Sequence, residues 1–431
     1  MSETSERQYD ILIWGVTGFT GTLVYEYFLE HGNEDLRVAV GGRNEEKIQK
    51  ILDNYRDRYT QKVKKTGVFV CDSSDEKGLT EIVSKTLVVI STVGPFARYG
   101  EPIVAACANM GTDYCDITGE LPWVNRMDRK YTEIAAKNKA HIVSMCGFDC
   151  IPSELGGLMV TKEIKDKYKL ETRDLKATFF EYTFSPSGGT IETMFDVKLE
   201  KNIENDTYAY IERKKGIAGL FSMLKMFRVY YDRDFKRWQS VFPSAFVDIP
   251  VVLRTNHFNK YGSKFDYALT SSSKSIFGSI ITTIAVIGFM TSIYIPIFGS
   301  IIRKLLPKPG EGPSLEQRVN GHLDFRLIGV SAPVSEKQPE SSKKVYGRIN
   351  ISNDPGYLET SKYVFESGMC LLNNKRNILG LSKLKDEIQF DTQLFKPGVG
   401  TPAVSMGVPL LERLKSKGFK FQVSDSPSIF A

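Results

Sequence analysis

Residues 9–21 read Tyr9-Asp10-Ile11-Leu12-Ile13-Trp14-Gly15-Val16-Thr17-Gly18-Phe19-Thr20-Gly21, a short apolar run that ends in three glycines spaced three apart. The run is too short for a helix and rich in β-branched residues, so it reads as a buried strand. A helical pattern follows from Thr20 to His31. A glycine pattern alone is weak, but one that ends a strand and opens a helix is informative. Gly15 permits a tight turn, Gly18 lets a pyrophosphate approach the backbone, and Gly21 lets the helix pack closely on the sheet. Thr17, Phe19 and Thr20 belong to the same turn, where free N–H groups and the helix dipole favour phosphate. The alternative is an ordinary strand-to-helix turn.

Outward from this turn the alternation continues to about residue 146. Strands are expected at Tyr9–Trp14, Leu36–Val40, Val68–Cys71, Leu87–Thr92, Thr112–Asp116 and His141–Cys146. Helices are expected between them, at Thr20–His31, Glu45–Tyr59, Asp75–Lys85, Glu101–Met110 and Trp123–Lys139. Strands joined by helical crossovers give a parallel sheet, here a doubly wound dinucleotide-binding (Rossmann) fold. The second strand ends Gly41-Gly42-Arg43-Asn44. An acidic residue there would bind the ribose of NAD, whereas Arg43 suits a 2′-phosphate, which favours NADP(H) with NAD(H) as the alternative. Arg43 could instead pair with Glu45 or Glu46. Asp72 either accepts from the adenine amino group or caps the next helix, with Asp75 as its rival. Ser91-Thr92-Val93-Gly94-Pro95 would run along the nicotinamide ribose.

Beyond Cys150 the pattern changes. Strands are expected at Asp174–Phe184, Val241–Leu253, His322–Val330 and Lys344–Ile351, helices at Ile191–Glu200 and Tyr357–Leu372, and a loop tip at Ser331–Ser342. The fold class is therefore α/β, a Rossmann sheet with a second α+β substrate domain inserted before C-terminal helices. Its divisions are 1–152 for dinucleotide binding, 153–352 for the substrate domain and 353–431 for a segment returning to the first sheet. Ser187-Gly188-Gly189-Thr190 opens a helix and could hold an anionic or carbonyl group, or be a plain turn.

With 42% hydrophobic and 25% charged residues the composition is globular. The net charge of +6 is unevenly spread: Met1–Cys150 carries −4 and Ile211–Lys308 carries +10. Within that basic stretch, Ser275–Ile302 is 28 residues without a charge, ten of them isoleucine. A continuous helix of that length would measure about 42 Å against a hydrocarbon core of about 30 Å. A simple span would place the cofactor domain and the Tyr357 helix on opposite sides of a bilayer, and Gly288 and Pro296 interrupt the run. A monotopic anchor at a membrane or lipid-droplet surface keeps both flanks on the cytosolic face. The basic collar supports it, because each Lys or Arg near an anionic surface contributes roughly 1 kcal/mol. A buried core helix or a homodimer interface is the alternative. The charge argues against a nucleic acid partner. The start MSETSERQYD lacks a secretory layout, and six cysteines without a CxxC pair suit a reducing compartment. The Cys146 and Cys150 spacing reads as buried thiols, and no metal is expected.

Several motifs carry a resemblance. GVTGFTG, the following GGRN, STVGPF with Tyr99-Gly100-Glu101-Pro102, YCDITGE at 114–120, GFDCIPSE at 147–154, SGGT at 187–190, DPGY at 354–357 and GVGTPA at 398–403 together resemble the saccharopine dehydrogenase-like oxidoreductases. That group has lipid-droplet members and is similar to bacterial trans-acting enoyl reductases. The resemblance implies a nicotinamide-dependent reductase with the saccharopine reductase fold, but not saccharopine as substrate, which would not require the long apolar segment. The expected reaction is hydride transfer from NADPH to a C=C, C=N or C=O group of a lipid-like molecule, and the rival reading is a non-catalytic lipid-surface protein that keeps nucleotide binding. A proton donor is needed near the receiving group. Tyr114, Asp116, Glu120, Asp149 and Tyr357 lie near the expected crevice, with Asp149 and Tyr357 carried forward. For Asp149 alone, a cap on the helix containing Ser153 and Glu154 is the reading its position favours over a catalytic one.

Overall fold

A computed structural model describes residues 7–183, 185–196, 208, 224–295, 307–308, 310–335, 338–382, 384 and 396–431. Expectations placed on Phe184, on residues 197–200 and on the apolar segment from Pro296 to Ile302 lie outside the described residues.

The first sheet holds seven strands: β1 (Tyr9–Trp14), β2 (Val38–Gly42), β3 (Gly67–Val70), β4 (Thr86–Ser91), β5 (Asp113–Asp116), β6 (His141–Val143) and β13 (Gly398–Gly400). Their order is β13-β6-β5-β4-β1-β2-β3 and every pairing is parallel. The strand order reverses between β1 and β4, the switch point where doubly wound sheets bind their ligands. The crossovers carry α1 (Phe19–His31), α2 (Glu45–Arg56), α3 (Glu76–Ser84), α4 (Glu101–Met110) and α5 (Leu121–Lys137). β1 and β4 are buried on both faces, as expected of strands covered by helices on each side. Val24, Phe28, Ile48 and Leu52 fill one face, and Leu79, Val83, Ile103 and Trp123 fill the other.

The second sheet is mixed and contains β7 (Thr172–Tyr182), β8 (Tyr230–Asp232), β9 (Arg237–Ser240), β10 (Asp266–Ser273), β11 (Leu323–Ser331), β12 (Lys344–Ile351) and β14 (Lys420–Ser424). It runs β14-β12-β11-β7-β10-β9-β8, with β7 and β10 parallel and the other pairs antiparallel. Helix α6 (Ile151–Tyr168) covers one face, where a Cβ added at Gly156 would touch Leu327 and Ile349 at 3.1 Å. The helix α7 (Gly188–Asp196) follows β7.

Three expectations are corrected. Val241–Leu253 is not a strand: Ala245–Asn259 forms helix α8, with Ala245, Asp248, Val251, Val252 and Thr255 buried at helical spacing. A short apolar run does not distinguish the two by periodicity, and Pro250 within it argued against a helix. Gly288 does not interrupt the apolar segment, because α9 (Ile276–Tyr294) runs through it and stops ahead of Pro296. The C-terminal stretch does more than return to the first sheet. Helix α10 (Thr360–Ile378) lies against β4 and β5, and β13 joins β6, but β14 crosses back to pair with β12.

Helix α9 lies on β9 and β10 with an unusual polarity. Ser279, Thr283 and Val286 face inward, while Phe277, Ile280, Ile281, Ile284 and Ile287 are exposed. Among the described residues no helix is long and apolar enough to cross a membrane.

Candidate active site

The glycine turn is held by its neighbours. Gly15 has φ +92°, a region that disfavours any side chain, and its N–H donates to the Gly41 carbonyl at 2.9 Å. Thr92, just past β4, donates its hydroxyl to the Trp14 and Gly15 carbonyls at 3.2 Å. A Cβ at Gly21 would stand 2.1 Å from the Gly15 oxygen and 2.7 Å from Thr92 Oγ1, and one at Gly15 would stand 2.6 Å from Val93. Helix α1 starts at Phe19 with no side-chain cap and no acidic residue in its first turn. Its first amides are therefore left for an outside acceptor, at the positive end of the dipole. This cradle fits a pyrophosphate.

At the end of β2, Arg43 is exposed and makes no ion pair with Glu45 or Glu46. Asn44 caps α2 by accepting from the Lys47 N–H at 2.8 Å. Asp75, rather than Asp72, caps α3, accepting from the Gly78 N–H. Asp72 closes a local turn, accepting from the Ser74 amide and hydroxyl. Those two bonds, with a smaller pull from Arg43, hold its carboxyl below the usual range.

Ser91 ends β4, buried beside Tyr114. The following Val93-Gly94-Pro95 loop is fixed by Glu120, whose two carboxylate oxygens accept from the Phe96 and Ala97 N–H groups at 2.7 Å each. Asp116 accepts from the Thr118 and Met145 amides and the Ser144 hydroxyl, and burial pushes its carboxyl up to about 6. Tyr114, Asp116 and Glu120 are thus enclosed supports of the crevice wall.

Asp149 differs from these. It does not cap α6, whose N-cap position is Cys150 with no side-chain bond. Its side chain keeps contact with solvent and takes no hydrogen bond from the described residues. The crowding around it nevertheless pushes its carboxyl up to about 6 by desolvation. Tyr357 lies within electrostatic reach of it. The Tyr357 hydroxyl accepts from the Ser187 N–H and is bonded to Thr190 Oγ1 at 2.8 Å. Its ring meets Phe19 of the glycine motif edge-on at 5.4 Å. Asp354 holds the Tyr357 backbone through its N–H at 2.7 Å. Sequence reasoning missed Asp248, which was assigned to a strand. From α8 it sits fully buried beside Asp149 and Cys150, accepting from Ser244 at 2.8 Å and Ser153 at 3.2 Å. Reading α8 as a helix is the signal that would have found it.

The glycine cradle, the free arginine and the strand order converge on a dinucleotide site, and residues 11–143 match the model of the saccharopine dehydrogenase NADP binding domain. The chain is similar to the saccharopine dehydrogenase-like oxidoreductases. Its cofactor is NADP. The chain is similar to a trans-acting enoyl reductase of Mycobacterium ulcerans, 28% identical over 437 residues covering 96% of this chain and 97% of the relative. A trans-acting enoyl reductase of Mycobacterium tuberculosis is equally similar, with the same coverage. Among solved structures, the apo saccharopine dehydrogenase (L-Glu forming) of Saccharomyces cerevisiae covers 96% of this oxidoreductase and all of its own chain, at 11% identity and a TM-score of 0.54. That likeness is one of fold. Among the described residues of the oxidoreductase no group of three His, Cys, Asp or Glu could hold a metal ion, and the six cysteines are buried and form no disulfide.

Proposed function

We propose that this oxidoreductase reduces the C=C bond of an enoyl group on a lipid-like substrate, in preference to C=N or C=O, at a membrane or lipid-droplet surface. The observation that carries the reading is the unbonded, solvent-touching Asp149 beside a complete dinucleotide cradle. The preference for C=C is supported by full-length similarity to proteins named trans-acting enoyl reductases.

In this reading the Phe19 and Thr20 amides of α1 take the pyrophosphate, with Gly15, Thr17, Gly18 and Gly21 shaping the turn, where the Gly18 N–H donates to the Gly15 carbonyl at 3.0 Å. Arg43 takes the 2′-phosphate, Asp72 the adenine amino group, and Ser91, Val93, Gly94 and Pro95 flank the nicotinamide ribose. When bound, the reduced nicotinamide supplies a hydride, carrying two electrons. The chain orients the acceptor and moves the proton. The outward face of α9 supports the lipid surface: Phe277, Ile281 and Ile284 are 74%, 66% and 64% exposed, and the sequence around them is strongly basic. An apolar face rimmed by positive charge fits an anionic lipid layer.

The test is turnover. The protein is mixed with NADPH and, separately, the trans-2-decenoyl thioester of N-acetylcysteamine, 2-decanone and a decyl imine. NADPH should be consumed with the thioester, giving the decanoyl product. Absence of oxidation with all three removes the reading.

A further inference from the structure

We propose that Asp149 is the proton donor of the reduction and that the Tyr357 hydroxyl binds the substrate's carbonyl oxygen as negative charge gathers there. This rests on the enoyl reductase reading. The other carboxyls near the crevice are engaged: Asp116 by three donors, Glu120 by two amides, and Glu154 by Thr255 and the Ala403 N–H. Among the described residues Asp149 has no such partner, although its backbone is anchored. The neighbouring Phe148 N–H donates to Thr360 Oγ1 at 2.9 Å, and the Phe148 ring packs on Phe179. A side chain left free on a fixed backbone is arranged for something outside the chain.

The titratable groups facing Asp149 are Cys150 and Asp248 on its buried side and Tyr357 across from it. None of them is a cation, so among the described residues nothing favours the ionised form. Tyr357 is complementary. Its oxygen already accepts from the Ser187 amide. When Thr190 donates into the same oxygen, the phenolic proton is left for a ligand. The ring's contact with Phe19 ties that proton to the cofactor motif.

The step balances. The hydride adds to the β-carbon of the enoyl group, and the C=C electron pair shifts through the α-carbon onto the carbonyl oxygen. That enolate oxygen receives the Tyr357 hydrogen bond. The carbonyl then re-forms as the α-carbon takes the Asp149 proton, leaving a carboxylate that regains its proton from the water it touches. One hydride and one proton are consumed per C=C reduced.

The experiment compares wild type, Asp149→Asn, Asp149→Glu and Tyr357→Phe with the decenoyl thioester. NADPH binding, followed by its fluorescence, should stay within about twofold in Asp149→Asn, while kcat falls about 10²- to 10⁴-fold. Wild-type kcat/KM should be level in acid and fall tenfold per pH unit above about 6, because the donor must carry its proton. Asp149→Glu should restore part of the rate and the same falling limb, and Tyr357→Phe should lower kcat about 10- to 100-fold without moving it. Carboxyl ¹³C titration of the free protein should show two resonances changing near 6, those of Asp116 and Asp149, of which only the Asp116 resonance remains in Asp149→Asn. A wild type that turns over while Asp149→Asn matches it, or an Asp149→Asn that loses NADPH binding along with its rate, overturns the assignment. A wild type inert to every enoyl thioester defeats the underlying reading instead.

Discussion

Gly21→Ala should raise the dissociation constant for NADPH by about 100-fold or more, corresponding to roughly 2.7 kcal/mol. The added methyl meets the Gly15 carbonyl oxygen at 2.1 Å and Thr92 Oγ1 at 2.7 Å. Neither can yield: the carbonyl belongs to a turn fixed by hydrogen bonding to Gly41, and the hydroxyl clamps that turn from β4. Helix α1 would have to lift off the sheet, carrying away the amides that face the pyrophosphate. The companion Arg43→Ala leaves the cradle intact and removes one charge-assisted contact. It should weaken NADPH by about 10- to 100-fold and leave NADH nearly unchanged. Calorimetric titration of both nucleotides against both variants reads the outcome, with a thermal melt to confirm folding. Wild-type NADPH affinity in Gly21→Ala would refute the cradle, and equal losses of NADPH and NADH in Arg43→Ala would refute the phosphate contact.

Replacing Phe277, Ile281 and Ile284 together by serine should abolish flotation with vesicles containing phosphatidylserine. Burying each such side chain is worth about 1.5–3 kcal/mol, so losing three lowers the partition coefficient by well over 100-fold. The inward face of α9 carries Ser279 and Thr283, so the helix does not rely on these outward residues for its seat on β9 and β10. The melting temperature should therefore hold. Flotation of the triple variant equal to wild type, or a wild type that stays with the soluble fraction, would remove the surface role.

Much of the first sheet is legible in the sequence because β1, β2 and β4 are buried on both faces and so appear as short, nearly unbroken apolar runs. The second sheet is less so. β10 reads Asp266-Tyr267-Ala268-Leu269-Thr270-Ser271-Ser272-Ser273, whose three final serines hide an alternation that buries Tyr267, Leu269 and Ser271. Residues 245–259 mimic a strand through a compact apolar stretch containing Pro250. The glycine motif is a local signal and is read locally. The Tyr357 contacts with Ser187 and Thr190 join residues about 170 positions apart, and no spacing announces them. The role of Asp149 is ambiguous for a different reason. A helix cap and a proton donor both call for a carboxylate ahead of a helix, and only the uncapped Cys150 position separates the two.

In the proposed reaction the dinucleotide cradle and the Asp149 crevice form one reductase site. This is tested most directly with NADPH deuterated at both C4 positions and the trans-2-decenoyl thioester, the product being analysed by mass spectrometry. The product should be a decanoyl thioester carrying one deuterium at its β-carbon. A saturated product without deuterium, or bound NADPH with no saturated product, would contradict it.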